Sequence, residues 1–75
     1  MEKLMKILVD ARPDIDFKTA TKLIDNGTLE SFDVISIVGE INDVFDIKIG
    51  AGDLVPANFN SATAIYALIQ EKLRG

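Results

Sequence analysis

The sequence predicts an all-α fold, a small four-helix bundle of three main helices and one short helix, with a long loop between helices 1 and 2. Three observations lead there. Apolar residues recur at helical spacing in three stretches, at Leu4, Ile7, Leu8 and Ala11, at Val34, Val38, Ile41 and Phe45, and at Ile65, Leu68, Ile69 and Leu73. The single alternating piece, Asp46-Ile47-Lys48-Ile49-Gly50, has no second segment to pair with as a strand. The chain has 75 residues, which suffices for one domain (1–75) with one apolar core.

The first helix is expected from Glu2 to Ala11, with Lys3 and Lys6 off its apolar face. Pro13 stops it, because proline disfavours helical geometry at Arg12 and offers no N–H. Residues 14–30 form the long connection. Within it, residues 17–24 are expected to begin with a short turn of helix, and Asp25-Asn26-Gly27-Thr28 is a turn, since Asn-Gly adopts positive φ at little cost. Asn-Gly also suits a β-hairpin, but the segment that follows has helical periodicity.

The second helix is expected from Ser31 to about Phe45. Val34, Ile35, Val38, Ile41, Val44 and Phe45 make its buried stripe, flanked by Phe32 and Ile37, with Phe32 tucked against the start of the bundle. Ser31 stands where a hydroxyl can accept from free backbone N–H groups, and Asp33 suits the positive end of the helix dipole. Residues 51–55 form one short helical turn before Pro56. The last helix follows the caps Asn60 and Ser61 and runs to about Leu73.

Composition narrows the chemistry. Without Cys there is no disulfide, thiolate zinc site or Cys nucleophile, and without His the usual neutral-pH proton carrier is missing. A self-sufficient catalyst would depend on carboxylates, Lys or a hydroxyl, so a non-catalytic role is expected. Lys6 breaks the apolar N-terminal stretch, no small-residue cleavage site follows, and no apolar run reaches the roughly 20 residues a membrane span needs. A cytoplasmic protein without membrane insertion is the expectation.

Charge is unevenly placed. The net charge is −4, yet no Lys or Arg lies between Lys22 and Lys48, an interval that holds Asp25, Glu30, Asp33, Glu40, Asp43 and Asp46. A concentrated acidic segment suits docking of basic partners and disfavours nucleic acid. Asp14, Asp16 and Asp25 are spaced faintly like a calcium loop, but Lys18 and Lys22 stand where oxygen ligands are needed and Thr19 replaces the turn glycine. That reading is set aside.

The informative stretch is Leu23-Ile24-Asp25-Asn26-Gly27-Thr28-Leu29-Glu30-Ser31-Phe32-Asp33-Val34-Ile35-Ser36-Ile37-Val38. It resembles the phosphopantetheine attachment region of acyl carrier proteins, where an acidic residue, Ser and a large apolar residue stand between a long loop and the second helix. The resemblance continues through Ile41, Phe45-Asp46-Ile47, Ile49, Pro56, Phe59-Asn60-Ser61 and the final helix, and so covers nearly the whole chain. It implies a 4'-phosphopantetheine arm, taken from coenzyme A by a phosphopantetheinyl transferase and attached to Ser31. The arm would hold acyl or aminoacyl groups as thioesters. A ligase or acyltransferase would load it, and downstream acyl-processing enzymes would be visited by what is expected to be a monomer. The resemblance also implies a recognition face of Glu30, Phe32, Asp33, Ile37, Gly39, Glu40 and Asp43. Val38, Ile41, Ile65 and Ile69 are the interior residues expected to shelter an aliphatic cargo.

This sequence departs from the pattern at Glu30, where Asp is usual, and at Phe32, where Leu is usual. Ser36, Gly39 and Asn42 stand where carriers of fatty-acid synthesis are typically acidic, apolar and acidic. These changes dilute the recognition face, and imply a standalone carrier of a specialised pathway. The rival expectation is an unmodified helical interaction module that binds partners through the acidic second helix.

Overall fold

The computed structural model describes residues 2–74; Met1 and Gly75, the ends of the expected 1–75 domain, lie outside the described residues. Four helices follow in order: α1 (Glu2–Ala11), α2 (Ser31–Phe45), α3 (Pro56–Phe59) and α4 (Ala62–Arg74), with a 3-10 turn at Ala51–Asp53. No strand occurs among the described residues. No helix among them is long and apolar enough to cross a membrane. The all-α bundle with a long first loop is the architecture the sequence predicts.

α1 buries Leu4, Ile7 and Leu8, one face of two turns, while Ala11 at its end is exposed rather than inside. The amide of Arg12 still donates to the Leu8 carbonyl (2.9 Å), and Pro13 ends the ladder there. α1 packs on α2 and more lightly on α4, and α3 packs on α4.

In α2 the buried residues are Val34, Ile37, Val38 and Ile41. Ile37 is thus core, not a flank or a docking residue. Ile35 is 62% exposed and Val44 45% exposed, so the stripe is narrower than expected. At about 100° per residue, Ile35 falls to one side of the Val34–Val38–Ile41 line and Val44 to the other. An apolar sequence cannot say which edges of a helix its neighbours will cover. Asn42 ends α2: its carbonyl accepts from Asp46 and Ile47 amides, and its Oδ1 accepts from the Ile49 amide at 2.8 Å. Asp46 takes the left-handed conformation at φ 53°, and the chain then runs extended to bring Ile49 into the core.

Gly39 sits on the exposed face of α2, and a Cβ placed there meets nothing within 4 Å. Gly39→Ala is therefore expected to stabilise the fold by about 1 kcal/mol, through reduced backbone entropy in the unfolded chain. Urea unfolding of the two proteins would show it as a higher midpoint at equal slope. A lower midpoint would mean that the glycine is needed for backbone geometry.

The short helical turn expected within residues 51–55 is the 3-10 turn at Ala51–Asp53. Beyond it Pro56 starts a further short helix, α3, as its first residue, because its fixed φ and missing N–H suit a helical N-terminus. α3 buries Phe59. The Ser61 hydroxyl caps α4 by accepting from the Ala64 amide at 3.0 Å. α4 buries Ala62, Ile65, Leu68 and Ile69, while Leu73, expected inside, is half exposed in the last turn.

The long loop contributes to the core through Phe17, Leu23 and Leu29. Residues 17–19 make the expected single turn, with the Thr19 and Ala20 amides donating to the Asp16 carbonyl, and no helix continues from it; the Asp16 side chain, accepting from the Lys18 amide and the Thr19 hydroxyl, holds that local turn. Gly27 closes the expected turn at φ 72°, its amide donating to Ile24. Asn60 fastens this loop from across the fold. Its Oδ1 accepts from the Ile24 and Asp25 amides and its Nδ2 donates to Asp25, while its carbonyl accepts from the Leu23 amide.

Asp53 accepts from Lys72 of α4 at 2.8 Å and from the Gly50 amide at 3.1 Å. The Lys72 ammonium and then the Gly50 amide hold the Asp53 carboxyl below its ordinary 3.8. A depressed folded-state pKa contributes stability that is present above the ordinary value and disappears as pH falls through the folded one. Acidification below about pH 3.8 is thus expected to loosen residues 50–58 from α4, with a shallower acid response in Asp53→Asn. Urea midpoints between pH 2 and pH 6 would test this, and identical slopes for both proteins would refute it.

Candidate functional site at the start of the acidic helix

Ser31 is the first residue of α2 and is exposed. It is not the cap its position suggested. Glu30 occupies the cap position in extended conformation, and the Asp33 carboxylate reaches back to accept from the Glu30 amide at 3.2 Å. Asp33 therefore closes the turn, and the Ser31 hydroxyl has no hydrogen-bond partner among the described residues. The Ser31 and Phe32 amides likewise find no protein acceptor among those residues. An exposed, unengaged hydroxyl stands beside two free N–H groups at the positive end of a 15-residue helix.

Arg12, just past the end of α1, locks this helix end to the loop. One guanidinium nitrogen donates to Asp33 at 2.6 Å and to the Thr28 carbonyl at 3.3 Å. The other two nitrogens donate to Asp14 at 3.0 and 3.1 Å. These contacts, Asp14 first and Asp33 second, raise the Arg12 pKa further above its already high value, and Arg12 holds Asp14 below the carboxylate range. The Asp33 side chain is only 19% exposed as a result. Its carboxylate faces Arg12 and the Glu30 amide, so it adds little charge to the surface around Ser31.

Beside Ser31 lies an open groove of about 240 Å³. It is lined by the apolar residues Leu29, Val34, Ile35, Leu54, Val55 and Phe59 together with exposed Ser31 and Glu30. Leu54 and Val55 belong to the segment that Asp53 ties to Lys72. The interior residues expected to shelter a cargo do not line this space. Ile41, Ile65 and Ile69 are fully buried and Val38 nearly so, packed in the single core cluster. The open apolar volume is at the surface, next to the hydroxyl.

The remaining members of the expected face divide sharply. Phe32 is 77% exposed and does not tuck against the bundle, which corrects that expectation. Glu30, Gly39, Glu40 and Asp43 are all on the surface. Ile37 is 1% exposed and meets no partner directly. Glu30, Glu40 and Asp43 are the acids of the expected face that make no salt bridge among the described residues, and Phe32 and Ile35 are an exposed apolar pair on the same helix. A second cleft, about 250 Å³ between α1 and α2, is lined by Ile7, Asp10, Ala11, Ser36 and Glu40. No cluster of potential metal ligands occurs among the described residues.

Sequence reasoning missed the Arg12 clamp and the groove. Arg12 had one legible signal, being a lone Arg ahead of an acidic interval, but its partner choice depends on how the loop folds back. The groove had none, since its walls come from four separate segments. No family model, curated protein or solved structure matches the chain.

Proposed function

We propose that this chain is a carrier protein, with Ser31 as the attachment point for a 4'-phosphopantetheine arm that holds acyl or aminoacyl groups as thioesters. The observation that carries the reading is the display of Ser31: an unengaged, exposed hydroxyl at the first position of an acidic helix, opening onto an apolar groove. The residues fit such a group. In attachment, the Ser31 hydroxyl oxygen would form the new phosphodiester and give its proton to a base of the transferase, while the pyrophosphate bond of coenzyme A breaks and adenosine 3',5'-bisphosphate leaves. The free Ser31 and Phe32 amides can then face the phosphodiester, as helix N-termini do for anions. The groove can receive the arm or its cargo. Bound, the group supplies a thiol for acyl transfer; the protein supplies position and recognition.

The partners of this reading are a phosphopantetheinyl transferase, a ligase or acyltransferase that loads the thiol, and later acyl-processing enzymes in the cytoplasm. Glu30, Glu40 and Asp43 steer basic partners and leave contacts weak enough to release, because such charges act mainly on encounter and orientation. The diluted acidity at Ser36, Gly39 and Asn42 supports a standalone carrier of a specialised pathway, which would not replace a general fatty-acid carrier in a reconstituted synthase.

Exposed Phe32 and Ile35 favour a second reading, an unmodified interaction module in which this apolar pair is the anchor. Intact mass measured after incubation with coenzyme A and a promiscuous phosphopantetheinyl transferase separates the two. A single adduct on the wild type, absent from Ser31→Ala, is the carrier outcome. No adduct on either protein is the module outcome.

A further inference from the structure

We infer that Arg12 is a positioning residue for modification of Ser31, acting by neutralising Asp33 where an anionic phosphoanhydride must approach. The inference rests on the carrier reading above. Asp33 lies two residues beyond Ser31, in the first turn of α2 and at the helix end with free amides. An unpaired carboxylate there would occupy the same electrostatic niche as the incoming phosphates and repel them.

In the structure Asp33 is not unpaired. Its Oδ2 takes the Arg12 guanidinium at 2.6 Å and the Glu30 amide at 3.2 Å. Arg12 is itself held by two further partners, the Asp14 carboxylate and the Thr28 carbonyl, which belong to the two ends of the long loop. That anchoring fixes the cation on the Asp33 side of the helix start and leaves the Ser31 side open. Asp33 thereby keeps its role in closing the turn while its charge is cancelled. Glu30 stays as an exposed acid lining the groove, where it is free to meet a basic partner.

The clamp has a structural side as well, and rescue separates the two. Arg12→Gln is expected to lower kcat/KM for the carrier in the transferase reaction on the order of tenfold, and raising salt from 50 to 500 mM should close most of that gap by screening. Adding Asp33→Asn removes the charge that Arg12 balances, so the double variant should recover to within about threefold of wild type. If Arg12 matters only as a clamp, the double variant stays as slow as Arg12→Gln and salt changes nothing, which overturns the inference. Arg12→Lys, which keeps the charge and loses the planar fork, is expected to retain at least about a third of the wild-type rate. A fall as deep as that of Arg12→Gln would also overturn it. A wild type that accepts no adduct ends the carrier reading and the inference together. A wild type and Arg12→Gln modified at equal rates end the inference alone.

Discussion

Replacing Ile41 with Ala is expected to remove a large share of the stability of this domain. Ile41 is fully buried at the middle of α2, inside the cluster where α1, α2 and α4 residues meet those of the loop. Truncating a buried Ile to Ala costs about 2–5 kcal/mol, the lost transfer energy plus the cavity that cannot collapse. A domain of this size has about 4–11 kcal/mol in total, at roughly 0.05–0.15 kcal/mol per residue. The variant should therefore unfold at a far lower urea concentration. Chemical denaturation followed by far-UV circular dichroism is the measurement. A midpoint shift equivalent to less than about 1 kcal/mol would mean that the α2 core position is misassigned.

Ser31→Ala should do the opposite: leave folding intact and abolish attachment of the arm. The Ser31 hydroxyl is exposed and makes no hydrogen bond among the described residues, so its removal should change stability by no more than about 0.5 kcal/mol. Alanine is also the better helix former. Loss of the adduct should nevertheless be complete, because the other serines are placed differently. Ser61 is engaged as the cap of α4, and Ser36 lies in the separate cleft between α1 and α2. An unchanged melting curve together with an absent mass adduct would isolate chemistry from folding. Residual adduct on Ser31→Ala would place the attachment elsewhere and overturn the site.

How much of this was readable beforehand depends on the range of the forces involved. α1 from Glu2 to Ala11 and α2 from Ser31 to Phe45 agree end to end with their sequence expectation, because periodicity, Pro13 and the acidic first turn are local signals. The turn before Pro56 was legible too, but the helix that Pro56 opens was not, because the same ring that closes one element can open the next and α3 is held by Phe59 in the core. Ile35, Ile37 and Phe32 misled for another reason. In α2 nearly every other residue is apolar, so the pattern leaves the helix free to turn by about one residue step (~100°) around its axis. The packing of α1 selects the rotation, burying Ile37 and leaving Phe32 and Ile35 outside.

The site divides along the same line. Ser31 at the head of an acidic helix follows from residue order alone, as does the charge asymmetry that frames it. The freedom of its hydroxyl does not, since it requires Asp33 to take over the cap and Arg12 to reach across from the end of α1. By itself the chain determined an all-α bundle, the bounds of α1 and α2 and the position of one serine, because these rest on interactions between residues a few places apart. Tertiary structure alone decided which face of α2 is buried, which acid is neutralised and where an apolar groove opens. Each of those depends on segments distant in sequence meeting in space, and burial and charge pairing are properties of that meeting.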